Sequence, residues 1–419
     1  MNKNGNATVV LLGTLDTKGM EYQFIRERLA EMRVDSLLID GGVIGEPQIQ
    51  PDIRREEVAQ AAGKELQELI DARDRGAAIT TMAEGAATIV KKMYQEGQLD
   101  GILGLGGSGG TALVTRAMRE LPVGVPKLMV STMASGETRP YVGAVDVTMM
   151  YSVVDISGVN QVSSRILSNA AQGIAGMVTG KAPALSEKKP LIGASMFGVT
   201  TPAVEAGRKH LEELGYEVLV FHATGTGGQS MEALIRDGYI TGVFDLTTTE
   251  LADDLVGGVL SAGPQRLEVA GEKGIPQVVS LGALDMVNFG PKDTVPPAFL
   301  ERRLVEHNPT VTLMRTTPEE CAELGRRLAR KLNQAKGPVA LYIPLKGVSS
   351  IAKEGEPFYD PAADEALFHA LREEIDRDVV EVHELDMNVN DPAFADAMVQ
   401  RLHQLYSEWM SKQPEEGNQ

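Results

Sequence analysis

The sequence predicts an α/β protein made of two tandem Rossmann-like domains, each a doubly wound parallel sheet. Three features carry that expectation. Short aliphatic runs alternate with stretches whose apolar residues recur at helical spacing, and the turns between them are short. Glycine is abundant, at 44 residues, while aromatics make up 5% of the chain, a balance that suits strand-to-helix turns and aliphatic sheets. The same strand–helix–strand order then occurs twice.

The first strand is expected over residues 8–12, ahead of the turn Gly13-Thr14-Leu15-Asp16-Thr17-Lys18-Gly19. A helix follows on the spacing of Phe24, Ile25, Leu29 and Met32, and a second strand over 36–39 ends in Asp40-Gly41-Gly42. Asp100-Gly101 opens a buried strand that runs into Gly104-Leu105-Gly106-Gly107-Ser108-Gly109-Gly110-Thr111, with a helix over 112–118 and a further strand over 126–131. A long helix over 159–178 closes this half. Its Ser163, Ser164, Ala170, Ala171, Gly173, Ala175 and Gly176 permit close packing, either inside the chain or at a dimer seam.

The second half repeats the order. Residues 191–196 read as a strand ending in Phe197-Gly198-Val199-Thr200-Thr201-Pro202, followed by a helix through Val204, Leu211 and Leu214. A strand over 217–221 ends in His222-Ala223-Thr224-Gly225-Thr226-Gly227-Gly228. Thr241-Gly242 then opens a strand into Asp245-Leu246-Thr247-Thr248-Thr249-Glu250, and residues 276–281 mirror residues 126–131. The polar stretch 180–190, with its prolines and a Lys/Glu cluster, marks the boundary, giving domains at 1–180 and 190–412.

The 419-residue length fits about two to three domains. The net charge of −18 disfavours nucleic acid and anionic membranes as partners, and simple solubility accounts for it. It leaves room for a local basic pocket that takes one phosphate group. Cys321 is the single cysteine, so no intrachain disulfide forms, and its helical context over 318–332 points to a small core residue. The polar N-terminus lacks a signal-peptide apolar region, and no apolar run reaches the ~20 residues of a membrane span, so a cytoplasmic protein is expected.

Ligands of open parallel sheets bind beyond the carboxyl ends of the strands. The strongest candidate there is the loop 104–111, in which Gly104-Leu105-Gly106-Gly107-Ser108-Gly109 satisfies G-x-G-x-x-G between a strand and a helix. Successive glycines let backbone N–H groups approach phosphate oxygens at the positive end of the helix. A ligand-free tight turn is the bland alternative. The loop follows a late strand and no acid ends the next one, so a nicotinamide cofactor is not expected, and no G-x-x-x-x-G-K-[ST] is present. The same residues spell G-x-S-x-G over 106–110, the elbow of a serine hydrolase with Ser108 as nucleophile; Asp146 or Asp155 would be its acid and His210 or His222 its base.

Other strand ends add candidates. Asp16, Thr17 and Lys18 offer a carboxylate for Mg²⁺, a hydroxyl and a cation, or else a helix cap. Arg54 stands before a helical pattern and can fork a phosphate or remain a solvated charge. The hydroxyl-rich stretch 131–136, with Thr132 and Gly136, suits a ribose or phosphate, or an ordinary turn. In the second half, Thr247 to Glu250 reads as a capping box, and 224–228 as a second anion loop. Thr200, Thr201, His222, Thr224, Lys346, Ser349 and Asp360 would form a second site for a small anionic ligand if they converge.

Several of these stretches are similar to the tomato mobamovirus-resistance-protein-like (Tm-one-like) ATP-binding family. The matching residues are Gly13 to Lys18, Pro51-Asp52-Ile53-Arg54, the loop 104–111, the stretches 131–136, 152–156 and 197–202, Phe221 to Gly225, and Gly282-Ala283-Leu284-Asp285-Met286-Val287-Asn288-Phe289-Gly290-Pro291. The resemblance covers nearly the whole chain. It implies two Rossmann-like domains, ATP with Mg²⁺ in the first, and a homodimer; plant members continue into a TIM-barrel-like domain that this sequence is expected to lack. The expected site is therefore ATP on Gly106, Gly107, Ser108, Gly109, Gly110 and Thr111, with Thr17, Lys18, Arg54, Thr132 and Gly136 around it and Asp16 on the metal. The resemblance supplies no settled reaction. Phosphoryl transfer or ligation on a small anionic metabolite, hydrolysis through Ser108, and a non-catalytic nucleotide-responsive module all stay open.

Overall fold

A computed structural model describes residues 5–181 and 189–413. The chain divides into two compact units, Met1–Ala184 and Leu185–Gln419. Most of the expected boundary, residues 182–188, lies outside the described residues.

Unit one is built on β1 (Thr8–Gly13), β2 (Asp35–Asp40), β3 (Gly101–Gly106), β4 (Lys127–Ser131) and β5 (Thr148–Tyr151), in the order β2-β1-β3-β4-β5 with all pairs parallel. Every residue of β1 and β3 is buried, because helices cover both faces. Strand alternation sorts their side chains. Val10, Leu12 and Ile102 join the core under helices Arg75–Gln95 and Ser108–Met118, while Val9, Leu11, Leu103 and Leu105 join the one under Leu15–Glu31 and Ser163–Thr179. The last helix starts at Ser163 and not at 159, because the Asn160 side chain accepts from the Val162 and Ser163 N–H groups and turns the chain first. Its small residues Ala170, Ala171 and Ala175 pack into the unit's own core.

Unit two has β6 (Leu191–Met196), β7 (Glu217–His222), β8 (Ile240–Thr247), β9 (Gln277–Gly282), β10 (Met286–Phe289), β11 (Leu304–Asn308), β12 (Val311–Arg315), β13 (Val339–Pro344) and β14 (Val380–Leu385). Its main sheet, β14-β13-β9-β8-β6-β7, is parallel and repeats the winding of unit one with one strand added. The antiparallel β10-β12-β11 sheet was invisible to the apolar-run reading, since its strands are four or five residues long and β10 is buried throughout. Helix Pro318–Leu332 forms as expected, with Thr317 and Glu320 in a capping box, and it buries Cys321. Among the described residues, no helix is long and apolar enough to cross a membrane.

A buried ionic cluster ties unit two together at the end of β8. The Arg266 guanidinium, 1% exposed, donates two bonds to Asp245 at 2.6 and 2.7 Å and one to Glu250 at 2.7 Å, with Glu232 at 3.4 Å. Glu250 was expected to close a capping box with Thr247. Instead it opens helix Glu250–Val256 and its carboxylate leaves that helix, accepting from the Gly225 and Gly228 N–H groups at 2.8 and 3.0 Å. Burial pushes this carboxyl up, opposed by the Arg266 charge and by those donors. Replacing Arg266 by leucine leaves three buried carboxylates without their cation. The expected cost is about 3–5 kcal/mol, read as a lower urea midpoint in the fluorescence of Trp409, the single tryptophan. A midpoint equal to that of the unmodified protein would show that the cluster does not hold the unit.

Candidate functional site

The winding of unit one reverses between β1 and β3, the place where an open parallel sheet forms a crevice at its carboxyl edge. Their ladder stops at Leu12 and Gly104. Beyond that point Tyr22, fully buried, bridges the strands: its hydroxyl donates to the Leu12 carbonyl and accepts the Leu105 N–H at 2.9 Å. A β-carbon at Gly13 would collide with this hydroxyl, which explains the glycine ending β1.

Above the bridge lies a cavity of about 550 Å³, within the ~300–1,000 Å³ typical of small-molecule sites. The turn after β1 brings Thr14, Asp16, Thr17 and Lys18, and the turn after β3 brings Gly106, Gly107, Ser108, Gly109 and Gly110. The Lys18 ammonium donates to the Ile156 carbonyl beside the cavity. Val43, Ile44, Leu69, Ile70, Ile79 and Leu113 form an apolar wall, and Arg73 and Arg75 complete the lining on the side of helix Arg75–Gln95.

The glycine loop is shaped by contact. A β-carbon at Gly104 would strike Val114, and one at Gly106 would stand 3.0 Å from the Gly110 Cα. The helix begins at Ser108 with Gly107 as its cap residue, so no side chain caps it and its first N–H groups keep no acceptor from their own helix. The helix after β1 differs: the Asp40 carboxylate accepts from the Leu15 N–H at 3.1 Å and the Gly42 N–H at 2.8 Å.

Four expected residues are not brought to this cavity. The Thr111 hydroxyl is buried, bonded to the Gly107 carbonyl at 2.7 Å and to the Ser131 hydroxyl at 2.6 Å, so it braces the loop from behind. Thr132 donates its N–H to the Gly106 carbonyl and sits under the start of the loop. Gly136 closes a tight turn on the Met133 carbonyl. Arg54 caps helix Arg55–Ala61 and borders a separate cavity of about 350 Å³, because Ile53 pairs with Ile39 and carries the chain away along β2. Sequence reasoning in turn missed Tyr22, Arg73 and Arg75, which stand in helical patterns. The signal that points to the arginines is an Arg-Asp-Arg triplet at the junction of two helices.

Asp16 suits a cation in part. Its Oδ2 accepts the Gly45 N–H at 3.1 Å, and its Oδ1 is buried without a partner. Asp40 is close by, and its carboxyl is raised by burial and then by the Asp16 charge, against the N–H groups of Gly42 and Leu15. Among the described residues no group of three or more acidic, His or Cys side chains is placed to hold a metal. Mg²⁺ takes one or two carboxylates with waters and substrate phosphates, and Asp16 offers one carboxylate oxygen without a partner.

Unit one by itself does not assemble the hydrolase constellation. Ser108 begins a helix and is not among the positive-φ residues, unlike the strained serine of an elbow. Unit one contains no histidine at all. His210 pairs with Asp396 at 3.1 Å, and Asp146 accepts from Lys127 at 2.7 Å.

Most second-site candidates of unit two spend their polar groups on bonds within the fold. The Thr200 and Thr247 hydroxyls bond each other at 2.7 Å, and Thr248 donates to the Ser280 carbonyl. Lys346 pairs with Asp386, Ser349 with Asp285, and Asp360 caps helix Pro361–Glu374. The expected anion loop at 224–228 already holds an anion, the carboxylate of Glu250.

Residues 7–183 match the profile of the N-terminal domain of the uncharacterised protein family UPF0261, and residues 189–406 match that of its C-terminal domain. The chain belongs to the UPF0261 family. A UPF0261 protein of Clostridium tetani is 56% identical over 397 residues, covering 95% of this chain and 98% of its own. The ToMV resistance protein Tm-1(GCR237) of Solanum lycopersicum is 47% identical over 331 residues, covering 78% of this chain and 44% of the tomato protein. The resemblance read from the motifs thus holds at the level of family. Among solved structures, a UDP-N-acetylglucosamine 2-epimerase aligns over 98% of this chain and 99% of its own at 11% identity and a TM-score of 0.25, too low to carry an argument.

In this UPF0261 protein the crevice depends on the Tyr22 bridge. Tyr22→Phe strands the Leu105 N–H and is expected to destabilise the protein by about 1–3 kcal/mol. The specific sign is faster hydrogen exchange at the Leu105 amide. Unaltered exchange there would dismiss the bridge.

Proposed function

We propose that unit one binds ATP with Mg²⁺ in the cavity between the turns after β1 and β3. The observation that carries this reading is the uncapped glycine helix start, Gly107 to Gly110, open to a cavity in a unit whose neighbouring helix start is filled by Asp40. Backbone N–H groups at such a start, with the positive end of the helix dipole behind them, favour a phosphoryl group. Lys18 has two further N–H donors beside the one given to Ile156. The apolar wall of Val43, Ile44, Leu69, Ile70 and Ile79 supplies a surface for a nucleobase. Asp16 would hold Mg²⁺, which when bound offsets phosphate charge. The resemblance noted from the sequence implies the same ligand, and a cytoplasmic homodimer goes with the same reading.

Calorimetry of the full chain with ATP and Mg²⁺ tests it, with binding at or below millimolar concentration expected. Gly109→Val puts a branched side chain where even a β-carbon stands 3.0 Å from Ile79 Cδ1. That variant should lose ATP affinity at least tenfold, or about 1.4 kcal/mol, while Trp409 reports unchanged unfolding of unit two. Absence of any binding heat at millimolar ATP in the unmodified protein would overturn the reading.

A further inference from the structure

We propose that the elbow Arg73-Asp74-Arg75 grips the outer phosphoryl group of the nucleotide, so that the site selects nucleoside polyphosphates over monophosphates. This rests on the nucleotide reading of the same cavity and names a specificity device within it.

Two residues, Arg73 and Asp74, separate the two helices. Helix Leu66–Ala72 ends at Arg73, and Asp74 caps helix Arg75–Gln95 by accepting the Ala77 N–H at 3.0 Å. Arg73 has φ 53° and ψ 21°, the left-handed conformation in which a helix usually ends on glycine. An arginine there is strained, and the fold keeps it with its side chain lining the cavity.

Arg75 is unfavourably placed for electrostatics in the absence of an anion. It occupies the first position of its own helix, where the dipole is positive. Its Nη2 also stands 3.9 Å from the point where a Gly109 β-carbon would be, over the first turn of the glycine helix. The guanidinium therefore faces the uncapped positive end of the glycine helix, while its own helix start is met by Asp74. Among the described residues, neither Arg73 nor Arg75 is in an ion pair, in a chain where Arg55, Arg116, Arg266 and Arg315 are all paired with carboxylates. An anion between the arginines and the glycine turn relieves that repulsion. The loop N–H groups serve one phosphoryl group, and the guanidinium forks, which match phosphate geometry, serve the next. A monophosphate reaches only the first.

The test is calorimetry on the full chain with ATP, ADP and AMP, each with Mg²⁺. The unmodified protein should bind ATP and ADP at least tenfold more tightly than AMP. Arg75→Ala and the double variant Arg73→Ala/Arg75→Ala should lose that preference while keeping AMP affinity within about twofold. Both arginines are exposed, so folding is not at risk. Arg73→Gly gives a second readout: relief of the left-handed strain should raise the melting temperature while ATP affinity falls, a combination that a purely structural role would not produce. Equal ATP affinity in the double variant and the unmodified protein would overturn this inference alone, whereas no ATP binding by the unmodified protein would overturn it together with the nucleotide reading.

Discussion

A parallel sheet flanked by helices sends the unbonded N–H groups of helix starts to its carboxyl edge, and those groups must find acceptors. How each start is satisfied sets what each edge of this protein can do. Asp40 fills the start after β1, and Glu250 fills the start of helix Thr226–Arg236. Thr317 and Asp360 cap their own helices from the adjacent loop. The helix after β3 has none of these devices, since its cap residue is Gly107 and the residues after Ser108 are glycines. Its donors face a cavity instead of a side chain.

The two units show how one winding yields different edges. The third strand of unit one ends in glycines and leaves space. The third strand of unit two ends in Thr247, Thr248 and Thr249, whose hydroxyls are spent on Thr200, Ser280 and Asn288. There the space is filled from within: Glu250 supplies the anion that an outside ligand would bring, and Arg266 supplies the counter-charge. A buried carboxylate held this way is costly to remove, because the guanidinium and the N–H donors would be left unpaired. Unit one avoids that commitment. Its cations Lys18, Arg73 and Arg75 border an open cavity, and Tyr22 bridges the strands without lining it.

Much of the fold was legible because aliphatic runs in a doubly covered sheet are continuous and their turns are short. β1 and β6 fall within a residue of their expected ends. The glycine loop was legible for the same local reason, since glycine at 104 and 106 records close approaches by Val114 and Gly110 that no other residue allows. The short antiparallel sheet was not, because four-residue strands carry no period of their own. Thr111 illustrates the limit within the site. The sequence places it beside the glycines, but the first helical turn rotates its hydroxyl toward Ser131 and away from the cavity.

The sequence by itself determined the tandem α/β architecture, the repeated winding order and the position of a glycine-rich helix start, because each is written in contiguous residues. Only the tertiary structure decided which distant groups meet there. Arg54 is drawn off along β2, whereas Arg73 and Arg75 arrive from a helix junction that the sequence marks with nothing stronger than an acidic cap. Glu250 turns from its own helix to another because Arg266, sixteen residues on, holds it there. The physical reason is the same in each case: a charge goes where the nearest buried donor or opposite charge lies in space, and that neighbour is set by the packing of the sheet, not by spacing along the chain.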